Sequence, residues 1–145
     1  MSPMQVKVKW LDQVAFVGET DSGHAVVMDG APDAGGRNLG ARPMEMLLLG
    51  MGGCTSFDVI AMLRKARQEV LDCVVTVDGT RAETVPKVFT DIHVHFRVYG
   101  HELSEKRVGR AVALSAEKYC SASLMLGASA KVTHDFEIIE GPAPR

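Results

Sequence analysis

The chain has 145 residues, of which 46% are hydrophobic and 23% are charged; this is enough for one soluble globular domain with a sizeable core and too little for two full domains. Sixteen basic and eighteen acidic residues give a formal net charge of −2, which argues against a nucleic-acid-binding or anionic-membrane-binding protein. The three cysteines are far apart, no secretory signal precedes them, and we therefore expect a reducing, cytoplasmic location.

The first third of the chain is predicted to form three strands and a long loop. Residues 6–10 alternate apolar and basic side chains, which is the period-two pattern of a half-buried strand. The side chains predicted to face inward are Val6, Val8 and Trp10. Residues 14–19 and 25–29 are predicted as two further strands, and residues 31–41 as a loop long enough to be functional.

A long helix is predicted over Met44–Gln68, with Pro43 in its first turn, where the missing N–H costs nothing. Its first half is apolar on all sides, whereas its second half is amphipathic and ends with basic residues. The longest apolar stretch, Met46–Thr55, is about half of a membrane span, so we expect no membrane helix. A helix that is apolar all round must be buried all round, which indicates a central helix or one completed by a partner chain.

The rest of the chain predicts strands on either side of a helical segment. In chain order, the ranges are 70–78 and 88–98 for two strands, 103–119 and 122–129 for two helices, 131–140 for a last strand and 141–145 for a frayed tail. Ser104 is predicted to cap the first of these helices, one face of which carries Val108, Ala111, Val112 and Ser115. The order β-β-β-α-β-β-α-(α)-β predicts an α+β fold in a single domain, residues 1–145.

Cys54 stands directly after a glycine-rich stretch inside the predicted long helix. Each interior glycine costs about 1 kcal/mol relative to alanine, so Gly50, Gly52 and Gly53 indicate close approach of their backbone by another helix or by a substrate. The alternative is that Cys54 is a buried free cysteine that packs as a small hydrophobic residue.

Cys120 lies between the end of one predicted helix and the start of the next. A thiol at a helix N-terminus has its thiolate favoured by the helix dipole, so we expect a lowered pKa for Cys120. The alternative is a cysteine that only occupies a capping position. Cys73 begins an apolar strand run and is predicted to be a packing residue.

Two acids accompany Cys54 on the predicted helix. Glu45 precedes it by nine residues and lies on the opposite side of a straight helix, so it is expected to face a partner chain's site, to orient an arginine, or only to complement the helix dipole. Asp58 follows Cys54 by four residues and shares its face, where a carboxylate disfavours a thiolate unless a cation intervenes.

His93 and His95 share one face of a predicted strand, a spacing that could bind a metal ion. No third ligand stands at a suitable spacing, and a polar strand face beside Asp91 and Arg97 is the favoured interpretation. The sequence contains no G-x-G-x-x-G, P-loop, C-x-x-C or G-x-S-x-G motif, so phosphate cradling and serine hydrolysis are unsupported.

Two segments carry a resemblance to a known family. The stretch Arg42-Pro43-Met44-Glu45 … Gly52-Gly53-Cys54 resembles the Pro-x-Glu…Cys segment of the OsmC/Ohr superfamily (osmotically induced and organic-hydroperoxide-resistance proteins). Cys120-Ser121, followed by an apolar helix, resembles the second cysteine of that superfamily. The resemblance extends from about Val6 to Glu140 and is strongest to the YhfA-like branch.

The resemblance implies an intertwined homodimer with antiparallel sheets around a long central helix. It implies a thiol-dependent peroxidase in which the Cys54 thiolate reduces an organic hydroperoxide and becomes a sulfenic acid. Apolar residues expected near the thiols, such as Leu49 and Met125, favour an alkyl or aryl hydroperoxide. Cys120 then condenses with Cys54 to a disulfide, which an external thiol or dithiol reduces. Such a cycle requires no metal, flavin or haem cofactor.

The chain departs from the family pattern in its N-terminal part. Active members support the reactive thiolate with an arginine from the N-terminal strands, itself held by a glutamate, whereas no arginine occurs here before Arg37. We predict that Arg42 or Arg37 replaces it and that Glu45 is the glutamate. The alternative is a non-enzymatic or weakly active dimer that binds an apolar small molecule or senses redox state.

Overall fold

A computed structural model describes residues 3–145. Its elements in chain order are β1 (Val6–Asp12), β2 (Ala15–Thr20), β3 (Ala25–Met28), α1 (Pro43–Lys65), β4 (Glu69–Arg81), β5 (Phe89–His101), α2 (Glu105–Leu114), α3 (Ser121–Leu126) and β6 (Lys131–Glu140). The predicted α+β order of elements is confirmed. The chain divides into two compact units, and the boundary falls inside α1, between Leu47 and Leu48.

The first unit contains an antiparallel sheet in the order β1-β2-β3. Strand β1 forms as predicted, but the prediction that it is half-buried is wrong for a single chain. Val6, Val8 and Trp10 all remain more than half exposed. The reason is that the side chains of β1 meet solvent on both faces of the sheet.

The loop after β3 is held by one buried carboxylate. Asp29 Oδ1 accepts the backbone N–H of Gly30 at 2.7 Å, and its Oδ2 accepts those of Arg37 at 3.1 Å and Leu39 at 3.2 Å. Burial acts to raise the pKa of Asp29, but the three N–H donors outweigh it and the pKa is lowered. The predicted loop therefore has a defined path, in which Gly36 is required because a Cβ there would overlap the backbone of Gly30.

The second unit contains a sheet in the order β4-β5-β6. Strands β4 and β5 pair antiparallel, but β5 and β6 pair parallel, so the expectation of purely antiparallel sheets is wrong here. The connection between β5 and β6 runs through α2 and α3, and a helical crossover of this kind allows parallel pairing. Buried side chains alternate along most of the central strand at Ile92, Val94, Phe96 and Val98, and Phe89 and Tyr99 near its ends are buried as well.

Helix α1 buries one stripe rather than its whole circumference. Its buried residues recur every fourth position and are Met51, Thr55, Val59 and Leu63. Leu49 and Phe57 are 62% and 76% exposed, so the predicted all-round burial is not met within one chain. By length and composition α1 could also cross a membrane, with a mean hydropathy of 1.7 in a window that is 22% buried.

The predicted helix over 103–119 is divided. Helix α2 ends at Leu114, and Ser115–Tyr119 forms a single π turn. The Ser104 cap is confirmed, since its hydroxyl accepts the backbone N–H of Arg107 at 3.2 Å. Turns of this π type are rare in proteins as a whole, but those that do occur are often found at functional sites.

A ladder of imidazole and carboxylate groups joins β5 to β6 on one face of the sheet. His93 Nε2 and His95 Nδ1 contact Asp135 Oδ1 at 2.9 and 2.7 Å. His95 Nε2 contacts Glu137 Oε1 at 3.1 Å, and Arg97 Nε donates to the same oxygen at 2.7 Å. Both ring nitrogens of His95 face acceptors, and only the protonated imidazolium donates at both.

We expect the stability of the second sheet to fall as the pH rises above 6.5. Hydrogen bonds, first with Asp135 and then with Glu137, raise the pKa of His95 above its ordinary value of 6.5. The protonated His95 therefore contributes its full stabilisation of the fold below pH 6.5, and this contribution is lost as the pH rises through the raised pKa. The bond to His95 lowers the pKa of Asp135 from 3.8, so that carboxylate stabilises the fold above pH 3.8. Thr76, opposite His95 on β4, is uncharged.

Thermal unfolding between pH 5 and 9 measures this dependence. His95→Gln should flatten the fall in melting temperature above pH 6.5. His24→Gln, which changes an exposed histidine in the turn before β3, should keep the wild-type slope. An unchanged slope in the His95 variant would contradict the assignment of the pH dependence to the ladder.

Candidate functional site

The second unit brings the Cys54 thiol close to the Cys120 thiol. Cys54 projects from α1 and is partly exposed, whereas Cys120 is fully buried at the N-cap of α3. Both are free thiols, and they are near enough for Cys54 to raise the pKa of the Cys120 thiol. Two cysteines 66 positions apart in the sequence thus form one pair, one member open to solvent and the other shielded from it.

Burial governs the ionisation of Cys120. It raises the pKa of the thiol, the Ser123 hydroxyl and N–H donors oppose this rise, and the neighbouring Cys54 adds to it. The prediction that the start of a helix lowers this pKa is wrong, because the loss of hydration outweighs one short helix. The two donors of Ser123 are nevertheless within hydrogen-bond distance of the Cys120 sulfur, with Oγ at 3.1 Å and the backbone N at 3.3 Å.

A buried polar contact lies beside the thiol pair. The Ser115 hydroxyl is 2.7 Å from Thr55 Oγ1 and donates to Asp58 Oδ2 at 3.0 Å. Thr55 is the residue after Cys54, and Ser115 begins the π turn that ends next to Cys120. The sequence placed Ser115 only on a buried helix face; its hydroxyl at a buried position was the signal for a polar partner.

The contact also accounts for Asp58 on the cysteine face of α1. The sequence predicts that a carboxylate there disfavours a thiolate. In the structure one carboxylate oxygen of Asp58 accepts a hydrogen bond from the Ser115 hydroxyl. That oxygen therefore has a partner other than the Cys54 sulfur. Asp58 thereby binds α1 to the second cysteine segment.

The glycines before Cys54 have different surroundings. A Cβ on Gly52 would come within 3.3 Å of Val77 on β4, so Gly52 permits close packing inside the unit. A Cβ on Gly50 or Gly53 would meet nothing within 4 Å. The expected close backbone approach is therefore found inside the chain for one of the three glycines.

The predicted Arg42 and Glu45 interact at the start of α1. Glu45 Oε1 accepts the backbone N–H of Arg42 at 2.7 Å, which satisfies a free donor at the helix start. The Arg42 guanidinium donates to Asn38 Oδ1 at 2.5 Å, and that of Arg37 pairs with Asp12. That either arginine supports the Cys54 thiolate, and that Glu45 orients it, stay predictions.

The remaining sites considered from sequence lie elsewhere in the second unit. Cys73 is on β4, where burial, and then the charge of Asp72, raises the pKa of its thiol. The ring nitrogens of His93 and His95 are engaged in the β5–β6 ladder. Within residues 3–145, no three His, Cys, Asp or Glu side chains are grouped to hold a metal ion.

Comparisons with known proteins agree with the arrangement of elements. A family model described as OsmC-like protein matches residues 35–135. Protein YhfA of Escherichia coli strain K12 is 46% identical over 136 residues, 94% of this chain and 98% of that protein. A hypothetical protein from Aquifex aeolicus VF5 is 30% identical in its solved structure, with a TM-score of 0.85 over 97% of this chain and 99% of that one.

A more distant structure has a name that states a function. It is an organic hydroperoxide resistance protein OsmC from Legionella pneumophila, 16% identical to this chain. The TM-score is 0.70, over 94% of this chain and 98% of that one. At this identity the likeness concerns the fold alone.

We expect Ser123→Ala to raise the pKa of Cys120 further, because it removes the hydroxyl donor and keeps the backbone N–H. Ultraviolet absorbance of the thiolate against pH measures this in a Cys54→Ser, Cys73→Ser background, where Cys120 alone titrates. Ser129→Ala, which changes a serine just after α3, is the control. A Cys120 pKa equal in the Ser123 variant and its background would contradict a role for the hydroxyl.

Proposed function

Because this chain belongs to the OsmC-like family, as its two cysteine segments predicted, we propose that it is a thiol-dependent peroxidase for organic hydroperoxides. The observation that carries the proposal is the pairing of the partly exposed Cys54 with the buried Cys120. The Legionella protein of the same fold is named for resistance to organic hydroperoxides, which supports the substrate class.

In the first step the Cys54 thiolate attacks the outer oxygen of the hydroperoxide. The O–O bond breaks, Cys54 becomes a sulfenic acid, and the remaining alkoxide takes up a proton and leaves as an alcohol. The sulfur is oxidised by two electrons and the peroxide is reduced by two. The exposure of Cys54 suits this role, since the substrate must reach the sulfur from solvent.

In the second step Cys120 attacks the Cys54 sulfur and displaces the sulfenic oxygen as water. The burial and raised pKa of Cys120 make it a poor first nucleophile, but it is suited to an attack within the protein. The Ser123 donors stabilise its thiolate as that attack begins. An external dithiol, which we expect in a reducing compartment such as the cytoplasm, then reduces the disulfide and is itself oxidised.

A second function is favoured by the loop arginines. Arg37 and Arg42 are engaged with Asp12 and Asn38, and a Cys54 thiol without a cation would react slowly. The protein would then be a weakly active OsmC-like dimer that binds an apolar small molecule or senses redox state. Native mass spectrometry of the purified protein distinguishes the two, because a retained ligand together with slow oxidation by hydroperoxide supports the second function.

We also propose that the protein acts as a homodimer. Helix α1 exposes Leu49, Phe57 and the backbone of Gly50 and Gly53. A glycine in a helix lowers stability, and within a single chain no close packing against Gly50 or Gly53 compensates for that loss. Large exposed apolar surfaces mark interaction sites. A second copy that packs its own α1 closely on this surface accounts for both features.

Cys54→Ser should abolish consumption of cumene hydroperoxide, a loss of at least about a hundredfold, because it removes the attacking sulfur. Cys120→Ser should allow one turnover and then stop at the sulfenic acid. Cys73→Ser, the matched control on β4, should retain wild-type turnover. Intact mass after one equivalent of hydroperoxide follows each state, and unchanged consumption by the Cys54 variant would refute the peroxidase.

Gly53→Ala tests the dimer by the sign of its effect. In an isolated helix the change should stabilise the protein by about 1 kcal/mol. If a second α1 packs on Gly53, the added methyl should instead weaken the dimer by about tenfold or more in its dissociation constant. Sedimentation equilibrium measures the dissociation constant, urea unfolding measures the stability, and co-sedimentation with phospholipid vesicles detects membrane binding. A stabilised monomer, or a protein bound to vesicles, would contradict the proposal.

A further inference from the structure

Ser115 connects the two cysteine segments through both its side chain and its main chain. Its hydroxyl contacts Thr55 Oγ1 at 2.7 Å and Asp58 Oδ2 at 3.0 Å, and both partners lie on the turn of α1 that follows Cys54. Its carbonyl accepts the backbone N–H of Cys120 at 2.8 Å and closes the π turn. The Ser115 hydroxyl also lies 3.5 Å from the Thr55 carbonyl oxygen, and within residues 3–145 every hydrogen bond between α1 and the segment 115–120 involves Ser115.

The contact is buried and therefore specific. Ser115 is fully buried and Thr55 nearly so, and a hydrogen bond between buried groups is costly to break because water does not replace the lost partner. Asp58 supplies a carboxylate oxygen as a further acceptor at the edge of the pair.

The π turn explains why the segment before Cys120 needs to be held against α1; the hydrogen bonds of Ser115 that hold it are called the clamp below. A regular α-helix through residues 115–119 would close its turn onto the fourth preceding carbonyl, whereas Cys120 bonds to the fifth. This extra residue shifts the direction in which Cys120 enters α3. The hydroxyl of Ser115 binds the start of that irregular turn to α1, next to Cys54.

We propose that Ser115 is a positioning residue that holds the Cys120 segment against α1 and so sets how readily Cys54 and Cys120 form a disulfide. It contacts neither sulfur and takes no part in the chemistry. Two thiols held in place react as if each were at a high local concentration. Loss of the clamp lowers that effective concentration while both thiols remain.

For the reduction of a hydroperoxide, this inference rests on the proposed peroxidase and concerns only its second step, the formation of the Cys54–Cys120 disulfide. Disulfide formation in a glutathione buffer needs no hydroperoxide, since oxidised glutathione accepts the two electrons and leaves as two reduced molecules. The clamp can therefore be tested even if the peroxidase proposal fails.

The experiment compares Ser115→Ala, Ser115→Thr and Ser104→Ala in a Cys73→Ser background. The threonine variant keeps the hydroxyl. The Ser104 variant is the matched control, because it removes one serine hydrogen bond at the other end of α2. For each protein, the Cys54–Cys120 disulfide is titrated in glutathione redox buffers, and the sulfenic acid lifetime after one equivalent of cumene hydroperoxide is measured by dimedone trapping.

We expect Ser115→Ala to lower the effective concentration of the thiol pair by about tenfold and to lengthen the sulfenic acid lifetime by a similar factor. The rate of the first oxidation should stay within about twofold. Ser115→Thr should restore most of both values, and Ser104→Ala should match its background although it loses unfolding stability.

Three results would overturn the clamp: no Cys54–Cys120 disulfide in the background protein, a Ser115→Ala variant equal to that background, or an equal loss in Ser104→Ala. A background protein that leaves the hydroperoxide unreduced refutes the peroxidase and leaves the glutathione titration to decide the clamp. Normal hydroperoxide reduction combined with a Ser115→Ala titration equal to the background refutes the clamp alone.

Discussion

In the proposed peroxidase, the hydrogen bonds between Ser115 and helix α1 are the interaction on which disulfide formation depends. They join the turn after Cys54 to the π turn before Cys120, and so unite two thiols that the chain separates by 66 positions. Under the proposed function, this contact keeps the partly exposed Cys54, which meets the substrate, next to the buried Cys120, which forms the disulfide.

In the proposed cycle, burial would set the order of the two reactions. Burial raises the pKa of Cys120, and the Ser123 donors counter part of that rise. A raised pKa favours the thiol over the thiolate, and a thiol is less open to direct oxidation. A resolving cysteine benefits from this protection, whereas an attacking cysteine benefits from exposure. Cys120 is buried and Cys54 is partly exposed, as these two proposed roles require.

The first unit is organised around a different carboxylate. Asp29 gathers three backbone N–H groups and fixes the loop that carries Arg37 and Arg42. Those arginines are bound within the unit to Asp12 and Asn38. The Arg37–Asp12 ion pair is exposed, and exposed ion pairs contribute little stability, while Arg42 is bound to a neutral amide oxygen. The loop can therefore hold its path and still present a cation, as the peroxidase proposal requires.

Sequence patterns alone predict the element order, the long glycine-containing helix, the Ser104 cap and the family, because these depend on local periodicity and on short segments with distinct residue patterns. They misjudge the burial of β1, the parallel pairing of β6 and the pKa of Cys120. Each of these depends on which parts of the chain meet in space and on how much water they exclude. The meeting of Thr55, Asp58 and Ser115 is visible only in the folded chain, since hydrogen bonds between residues 57 and 60 positions apart leave no periodic trace in the sequence.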